Sequence, residues 1–66
     1  MRPDKIGVRL RRLRGDRTLE EVANAIDSSV SALSMYEHGE RVPRDPMKQV
    51  LANYYRVSVE DLFYCD

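Results

Sequence analysis

Arginine is the residue type whose number and spacing in this chain could support chemistry with a charged partner. The 66 residues carry eleven basic and eleven acidic side chains, so the net charge is zero, which by itself argues against a nucleic-acid partner. Residues 1–17 nevertheless hold seven basic and two acidic side chains, so their net charge is +5 and the net charge of the remaining residues is −5. Such a basic end would orient a small domain in a phosphate field. A solvated arginine-rich helix face explains the same pattern equally well.

Catalytic and metal chemistry are poorly supported. His38 and Cys65 are the only residues of their types, and the chain has no glycine-rich phosphate loop and no carboxylate pair in an expected cleft. One histidine and one cysteine are too few for a metal site of the usual ligand count. We therefore expect no enzymatic activity, no metal or other cofactor, and no small-molecule substrate.

Length and composition predict one globular domain over residues 1–66. The chain is 42% hydrophobic and 33% charged, which is typical of a folded protein, yet a domain of this size is marginally stable alone, so a partner subunit is plausible. No apolar run reaches the roughly 18 residues of a membrane helix, and the first residues lack the apolar stretch of a signal peptide. We expect a cytoplasmic protein that does not enter a membrane.

Helical periodicity places the arginines on a first helix, Pro3 to Arg14. Ile6, Leu10 and Leu13 form one apolar stripe along it, and the arginines occupy its other faces. Gly15 directly follows Arg14, and glycine readily takes the left-handed conformation that ends a helix. The first helix is therefore amphipathic and basic.

Two short helices follow in close succession. Thr18 and Glu21 form a capping box that begins the second helix, which should end near residues 25–27. Ser28 or Ser29 then caps a third helix that runs to residue 36 or 37. A short helix, a tight turn and another short helix have the spacing of a helix-turn-helix motif.

Two further helices complete the pattern. Asp45 is predicted to cap a fourth helix with Pro46 at its first position, and Ser58 to cap a short fifth one. Periodicity also predicts the core, whose members are Val22, Ile26, Leu33, Tyr36, Val50, Leu51, Leu62 and Phe63. Five helices without a strand pattern predict an all-α fold.

The order and spacing of these segments resemble the phage-repressor and Cro-like helix-turn-helix family, also called the xenobiotic-response-element family. The resemblance extends from Ile6 to Phe63 and is carried by residues 10–14, 18–23, 29–39, 43–46 and 58–63. It implies a lambda-repressor-like DNA-binding domain with the helix-turn-helix motif at about 18–37. It also implies that double-stranded DNA is the partner.

The resemblance assigns roles to individual residues. Helix three would enter the major groove with Ser29, Val30, Ser31, Ser34 and Met35, although Val30 and Met35 could instead be packing residues. Phosphates would be held by Thr18 and Leu19 at the start of helix two and by the loop residues Arg41 and Arg44. Arg14 and Arg17 either add to that surface or are simply solvated.

The resemblance further suggests a structural ion pair between Arg12 of helix one and Glu37 at the end of helix three, which we favour over a phosphate contact by Arg12. Three features depart from the family pattern. Leu19 stands where glutamine is frequent, Asp27 and Ser28 replace the usual turn residues, and helix three offers no Arg, Asn or Gln for bidentate base contacts. Direct readout of bases should therefore be weak or dominated by apolar contacts with thymine methyl groups.

The predicted function is a bacterial or phage transcription regulator, a repressor that acts as a homodimer. An aromatic C-terminal cluster is a candidate dimer contact, with Phe63 favoured as a core residue and Tyr64 as an interface residue; its members are Tyr54, Tyr55, Phe63, Tyr64 and Cys65. The alternative is an antitoxin-like or anti-repressor module that keeps the fold and binds a protein through its acidic half.

Overall fold

The five predicted helices are present in a computed structural model of the chain, which describes residues 2–64. They are α1 (Pro3–Arg14), α2 (Leu19–Ala25), α3 (Val30–Glu37), α4 (Asp45–Tyr55) and α5 (Glu60–Tyr64). The last is a single turn of π-helix. The described residues contain no strand, so the all-α prediction is confirmed. None of the helices in this part of the chain combines the length and apolarity needed to cross a bilayer.

Short polar side chains begin α2, α3 and α5 as their sequences predict. The Oγ1 atom of Thr18 accepts a hydrogen bond from the Glu21 amide at 3.1 Å. Ser29, and not Ser28, caps α3, because its Oγ atom accepts from the Ala32 amide at 3.0 Å. Ser58 accepts from the Asp61 amide at 3.0 Å in the same way. These bonds satisfy amide groups that a helix start leaves without a partner.

The start of α4 differs from the prediction. Arg44 is the extended residue before the helix, and its carbonyl accepts the first intrahelical bond, from the Lys48 amide at 2.9 Å. Asp45 is therefore the first helical residue and not the cap, with its carboxylate 3.5 Å from Lys48 Nζ. Proline at the second position is tolerated because an amide there has no intrahelical partner. Arg56 follows the last helical residue and caps the helix in a left-handed conformation at φ 59°.

The core is formed by residues of all five helices. It comprises Ile6, Leu10, Val22, Ala23, Ile26, Leu33, Tyr36, Leu51, Ala52, Leu62 and Phe63. Val50 was predicted to belong to it, but its side chain is 38% exposed. The inward face of α4 is instead centred on Lys48, Leu51 and Ala52. Lys48 tolerates this position because its apolar stem packs inside while its ammonium group donates to Tyr64 Oη at 2.9 Å.

The backbones of α1 and of the C-terminal end of α3 approach each other closely at Gly7. A Cβ atom added to Gly7 would lie 2.9 Å from the carbonyl carbon of Glu37 and 3.0 Å from the carbonyl oxygen of Tyr36. No side chain fits in that space without moving the backbone of α3. Gly7 therefore sets the distance between the two helices, a role that the sequence interpretation did not assign to it.

Candidate nucleic-acid interface

The two faces of α3 have opposite environments. Leu33, Tyr36 and Glu37 are buried against the rest of the domain. Val30 and Met35, on the other face, are each 38% exposed, so neither is a core residue. Ser29 and Ser31 are exposed as well, and Ser34 is half-buried. The residues predicted to face the bases thus share one accessible surface, which we call the outer α3 face.

The serine hydroxyls of this face are not equally available. Ser29 is engaged in capping α3. The Nδ1 atom of His38 lies 2.7 Å from the Ser34 carbonyl oxygen and 3.3 Å from Ser34 Oγ. Because a carbonyl only accepts hydrogen bonds, this geometry requires the proton on Nδ1. Ser31 makes no hydrogen bond within residues 2–64 that would restrict its hydroxyl.

The start of α2, where the sequence predicts an anion site, is flanked by acidic side chains. This helix has only seven residues, and its first turn carries Glu20 and Glu21. Carboxylates at that position stabilise the helix but repel a phosphate group. Leu19 is partly buried and packs against the core. Among the residues predicted here for phosphate contact, Thr18 alone is exposed.

Glu37 pairs with Arg14, and the predicted pair with Arg12 is wrong. The Arg14 Nε atom donates to Glu37 Oε2 at 2.8 Å, and its second terminal nitrogen donates to Oε1 at 3.1 Å. The side chains are 21% and 4% exposed, respectively. Two positions along an α-helix correspond to a rotation of about 200°, so Arg12 points away from α3 when Arg14 faces it. The hydrogen bond to Glu37 raises the pKa of Arg14 above its usual value.

The same arginine connects α3 with the segment before α2. Its remaining terminal nitrogen donates to the Arg17 carbonyl oxygen at 2.9 Å. The Arg17 guanidinium group in turn donates to the Leu13 carbonyl at 3.2 Å and lies 5.4 Å from the ring centre of Tyr54 and 5.8 Å from that of Tyr55. Stacking on two rings restricts the guanidinium group while leaving Arg17 exposed. We call this connection the Arg14–Arg17 bridge.

Tyr55 is the titratable group most affected by this arrangement. Burial raises its pKa to about 12, and the negative charge of Glu37 adds to the shift. The ring also contacts that of Tyr54 edge to face, with 5.0 Å between centroids. The phenol is therefore neutral at physiological pH and serves as an aromatic support beneath Arg17.

The loop between α3 and α4 supplies the remaining predicted phosphate contacts. Arg41 and Arg44 are both exposed. They flank a recess of about 390 Å³ with largely apolar walls, whose other lining residues are Tyr36, Val42, Pro46 and Met47. The loop thus places two cations beside the C-terminal end of α3.

The predicted aromatic cluster divides between core and surface. Phe63 is buried, while Tyr64 is 52% exposed and accepts the hydrogen bond from Lys48. Tyr54 and Tyr55 are half-buried. Cys65 lies outside the described residues.

A short capped helix, a tight turn at Asp27 with φ 56°, and a second helix with one buried and one exposed face define a helix-turn-helix protein. Comparison with known families gives the same result, because a model described as "Helix-turn-helix domain" matches residues 5–62. The chain belongs to this family. No curated protein and no solved structure gives a significant match. Membership implies DNA binding and a role in transcription regulation, and the family is typically non-enzymatic.

Proposed function

We propose that this protein is a transcription repressor of the phage-repressor and Cro-like type, which inserts α3 into the major groove of operator DNA and acts as a homodimer. The observation that carries the proposal is the contrast between the faces of α3. Its inner face is fixed by Gly7 and by the Arg14–Glu37 ion pair, while its outer face is accessible. A rigidly held helix with an accessible face suits insertion into a groove.

Base recognition in this proposal relies on short and apolar side chains. Val30 and Met35 would contact thymine methyl groups, and the Ser31 hydroxyl would donate to or accept from a base edge. Ser29 and Ser34 line the same surface. Small side chains permit a close approach of the helix to the groove floor, so shape and deformability of the operator contribute to specificity.

Phosphate contacts in this proposal come from Arg17, Arg41 and Arg44, with Thr18 at the edge of the surface. These residues are exposed, and the aromatic support of Arg17 restricts its guanidinium group before DNA arrives. Arg14 is omitted from the contacts because its donors are engaged by Glu37 and by the Arg17 carbonyl. Such contacts position a protein on DNA without reading its sequence.

The homodimer part of the proposal rests on Tyr64 and on domain size. Tyr64 is the most exposed large apolar side chain among the described residues. We propose that residues 1–66 act as one cytoplasmic domain whose dimer places two copies of α3 on adjacent half-sites. Sedimentation equilibrium tests this assembly: Tyr64→Ala should shift the protein toward monomer, whereas Val8→Ala, at another exposed apolar residue, should not.

The experiment that tests DNA recognition is fluorescence anisotropy with the DNA upstream of the protein's own reading frame and with a scrambled duplex, across a salt series. We expect preference for the upstream DNA and affinity that falls steeply with salt. Arg44→Ala should weaken binding to both duplexes and reduce the salt slope by about 1. Arg12→Ala removes the same charge from an exposed position on α1 and serves as the matched control.

A second candidate function is a protein-interaction module that retains the helix-turn-helix fold. It is favoured by the zero net charge and by the absence of Arg, Asn and Gln from the outer α3 face. Weak, equal binding to both duplexes would support this candidate, as would an unchanged salt slope in the Arg44→Ala variant. Either result would contradict the repressor proposal.

A further inference from the structure

The outward face of α1 carries an apolar and basic surface that the proposed DNA contacts do not use. Lys5, Val8 and Arg12 follow one another at intervals of three and four residues, so they lie on one side of the helix. Val8 is 47% exposed, the highest value among the large aliphatic side chains of the described residues. It lies between the cations of Lys5 and Arg12 on this side of the helix.

Two depressions flank this stripe and share Arg9 and Arg12. One, of about 250 Å³, lies between α1 and the start of α5 and has a largely apolar wall formed with Leu13, Val57 and Leu62. The other, of about 350 Å³, lies along the N-terminal half of α1 and includes Val8. Together with Lys5 and Val8 they form a surface that we call the outer α1 groove.

The cations of this groove are held differently. Arg9 donates to the Leu62 carbonyl at 3.2 Å, which fixes its side chain across the junction of α1 and α5. Arg12 is exposed and makes no hydrogen bond or ion pair with any of residues 2–64. The groove therefore combines an apolar floor with a cation available for a carboxylate.

The outer α1 groove is separate from the outer α3 face. Gly7 and Arg14 mark the side of α1 that faces α3. Lys5 and Arg12 each lie two residues from one of them, a rotation of about 200° around the helix. A molecule in the groove would therefore leave α3 accessible.

We propose that the outer α1 groove is a docking site for an acidic amphipathic helix of a partner protein. Leucine-type side chains of that helix would pack on Val8 and on the floor formed by Leu13 and Val57, and its glutamates or aspartates would pair with Arg12 and Lys5. From Asp4 to Leu13 the groove extends about 14 Å along α1, which matches roughly two and a half turns of a docked helix. The match of charge and apolarity is what identifies the occupant.

A nucleic acid fits this groove less well. Asp4 and Asp61 also line it and would repel a sugar-phosphate backbone, which is negative along its whole length, whereas a partner helix can place a cation opposite each aspartate and its carboxylates opposite Lys5 and Arg12. An apolar floor likewise offers nothing to a sugar-phosphate backbone. These two features favour a protein over a second duplex.

The test uses a synthetic peptide of about four helical turns, with leucines every three or four residues and flanking glutamates, titrated into the ¹⁵N-labelled full chain. A peptide of the same composition with scrambled order is the matched probe. We expect amide shifts confined to residues 4–13 and 57–62, at least fivefold weaker binding of the scrambled peptide, and weaker binding as salt rises.

Substitutions at exposed positions test peptide binding without disturbing the fold. Val8→Ser and Arg12→Glu should each weaken peptide binding by about fivefold, while Val50→Ser, at another exposed valine, should not. Val8→Ser should retain the wild-type circular dichroism spectrum and DNA affinity. Equal binding of both peptides, shifts centred on α3, or displacement of the peptide by a DNA duplex with the same residues shifted would each overturn the proposal.

Discussion

The inner and outer faces of α3 differ in how much of their structure is fixed by neighbouring residues. On the inner face, backbone contact with Gly7 and the bidentate pair between Arg14 and Glu37 leave little freedom of position. On the outer face, Val30 and Ser31 have no comparable constraint. One helix thus separates the residues that orient it from those that we propose to contact DNA. Substitutions on the two faces should have effects of different kinds.

The largest effect should follow from adding one methyl group to the inner contact. Gly7→Ala places a Cβ atom inside the van der Waals distance of the Glu37 backbone, so α1 and α3 must separate. We expect a loss of about 3 kcal/mol in the free energy of unfolding, although alanine normally stabilises a helix. Urea denaturation followed by circular dichroism measures this, with Val8→Ala as the control. A stabilised Gly7→Ala variant would contradict the close approach of the helices.

The next effect distinguishes the two arginines. Arg14→Met leaves the buried Glu37 carboxylate without its partner and should cost about 2 kcal/mol, less than a fully buried pair because Arg14 is partly exposed. Arg12→Met, an identical change on the exposed face, should alter stability by less than about 0.5 kcal/mol. The same denaturation assay compares them. Replacing Arg14 and Glu37 together by methionine should recover part of the loss, and a double variant as unstable as the sum of both single variants would argue against their pairing.

A smaller effect should appear at high pH. The pKa of Tyr55 is raised to about 12 in the folded state, against about 10 when unfolded, so the fold favours the neutral phenol. Its contribution to stability is complete below pH 10 and is lost as pH rises from 10 to 12, by about 1 kcal/mol after allowance for partial exposure. Tyr55→Phe should make this fall shallower. Tyr54→Phe keeps the Tyr55 phenol and should therefore show the same loss of stability between pH 10 and 12 as the unsubstituted protein.

The smallest effect on stability is expected on the outer α3 face. Ser31→Ala removes a hydroxyl that no described residue binds, so the free energy of unfolding should change by less than about 0.5 kcal/mol. In the proposed function the same change alters the ratio of affinities for upstream and scrambled DNA. Anisotropy measures that ratio. A Ser31→Ala variant with altered stability and an unaltered ratio would remove the distinction between the two faces.

Features set by local sequence were predictable, and features set by the packing of distant residues were not. Thr18 and Ser58 cap their helices as predicted because a cap depends only on the next three residues. The rotation of α4 exposes Val50 and buries Lys48, whose ammonium group is bound by Tyr64, sixteen residues away. The residue types at Val50 and Lys48 alone do not indicate which of the two side chains faces the core.

The candidate site shows the same division. The exposed outer face of α3 follows from periodicity, whereas the partner of Glu37 depends on the rotation of α1 against α3. A signal was nonetheless present, because Arg14 follows Gly7 by seven residues and two turns bring both to one side of the helix. Gly7 and Arg14 both lie on the side of α1 that meets α3. Arg12 has no such relation to Gly7.

The left-handed conformation of Arg56, directly after α4, lowers the thermal stability of the domain. Arg56 adopts φ 59° where glycine has no steric penalty, and side chains other than glycine carry a cost of roughly 1 kcal/mol in this conformation. In a domain of this size 1 kcal/mol corresponds to about 4–8 °C of melting temperature. Arg56 is exposed and belongs to neither α3 face nor the outer α1 groove. Arg56→Gly should therefore raise the melting temperature and leave the proposed recognition surfaces unchanged.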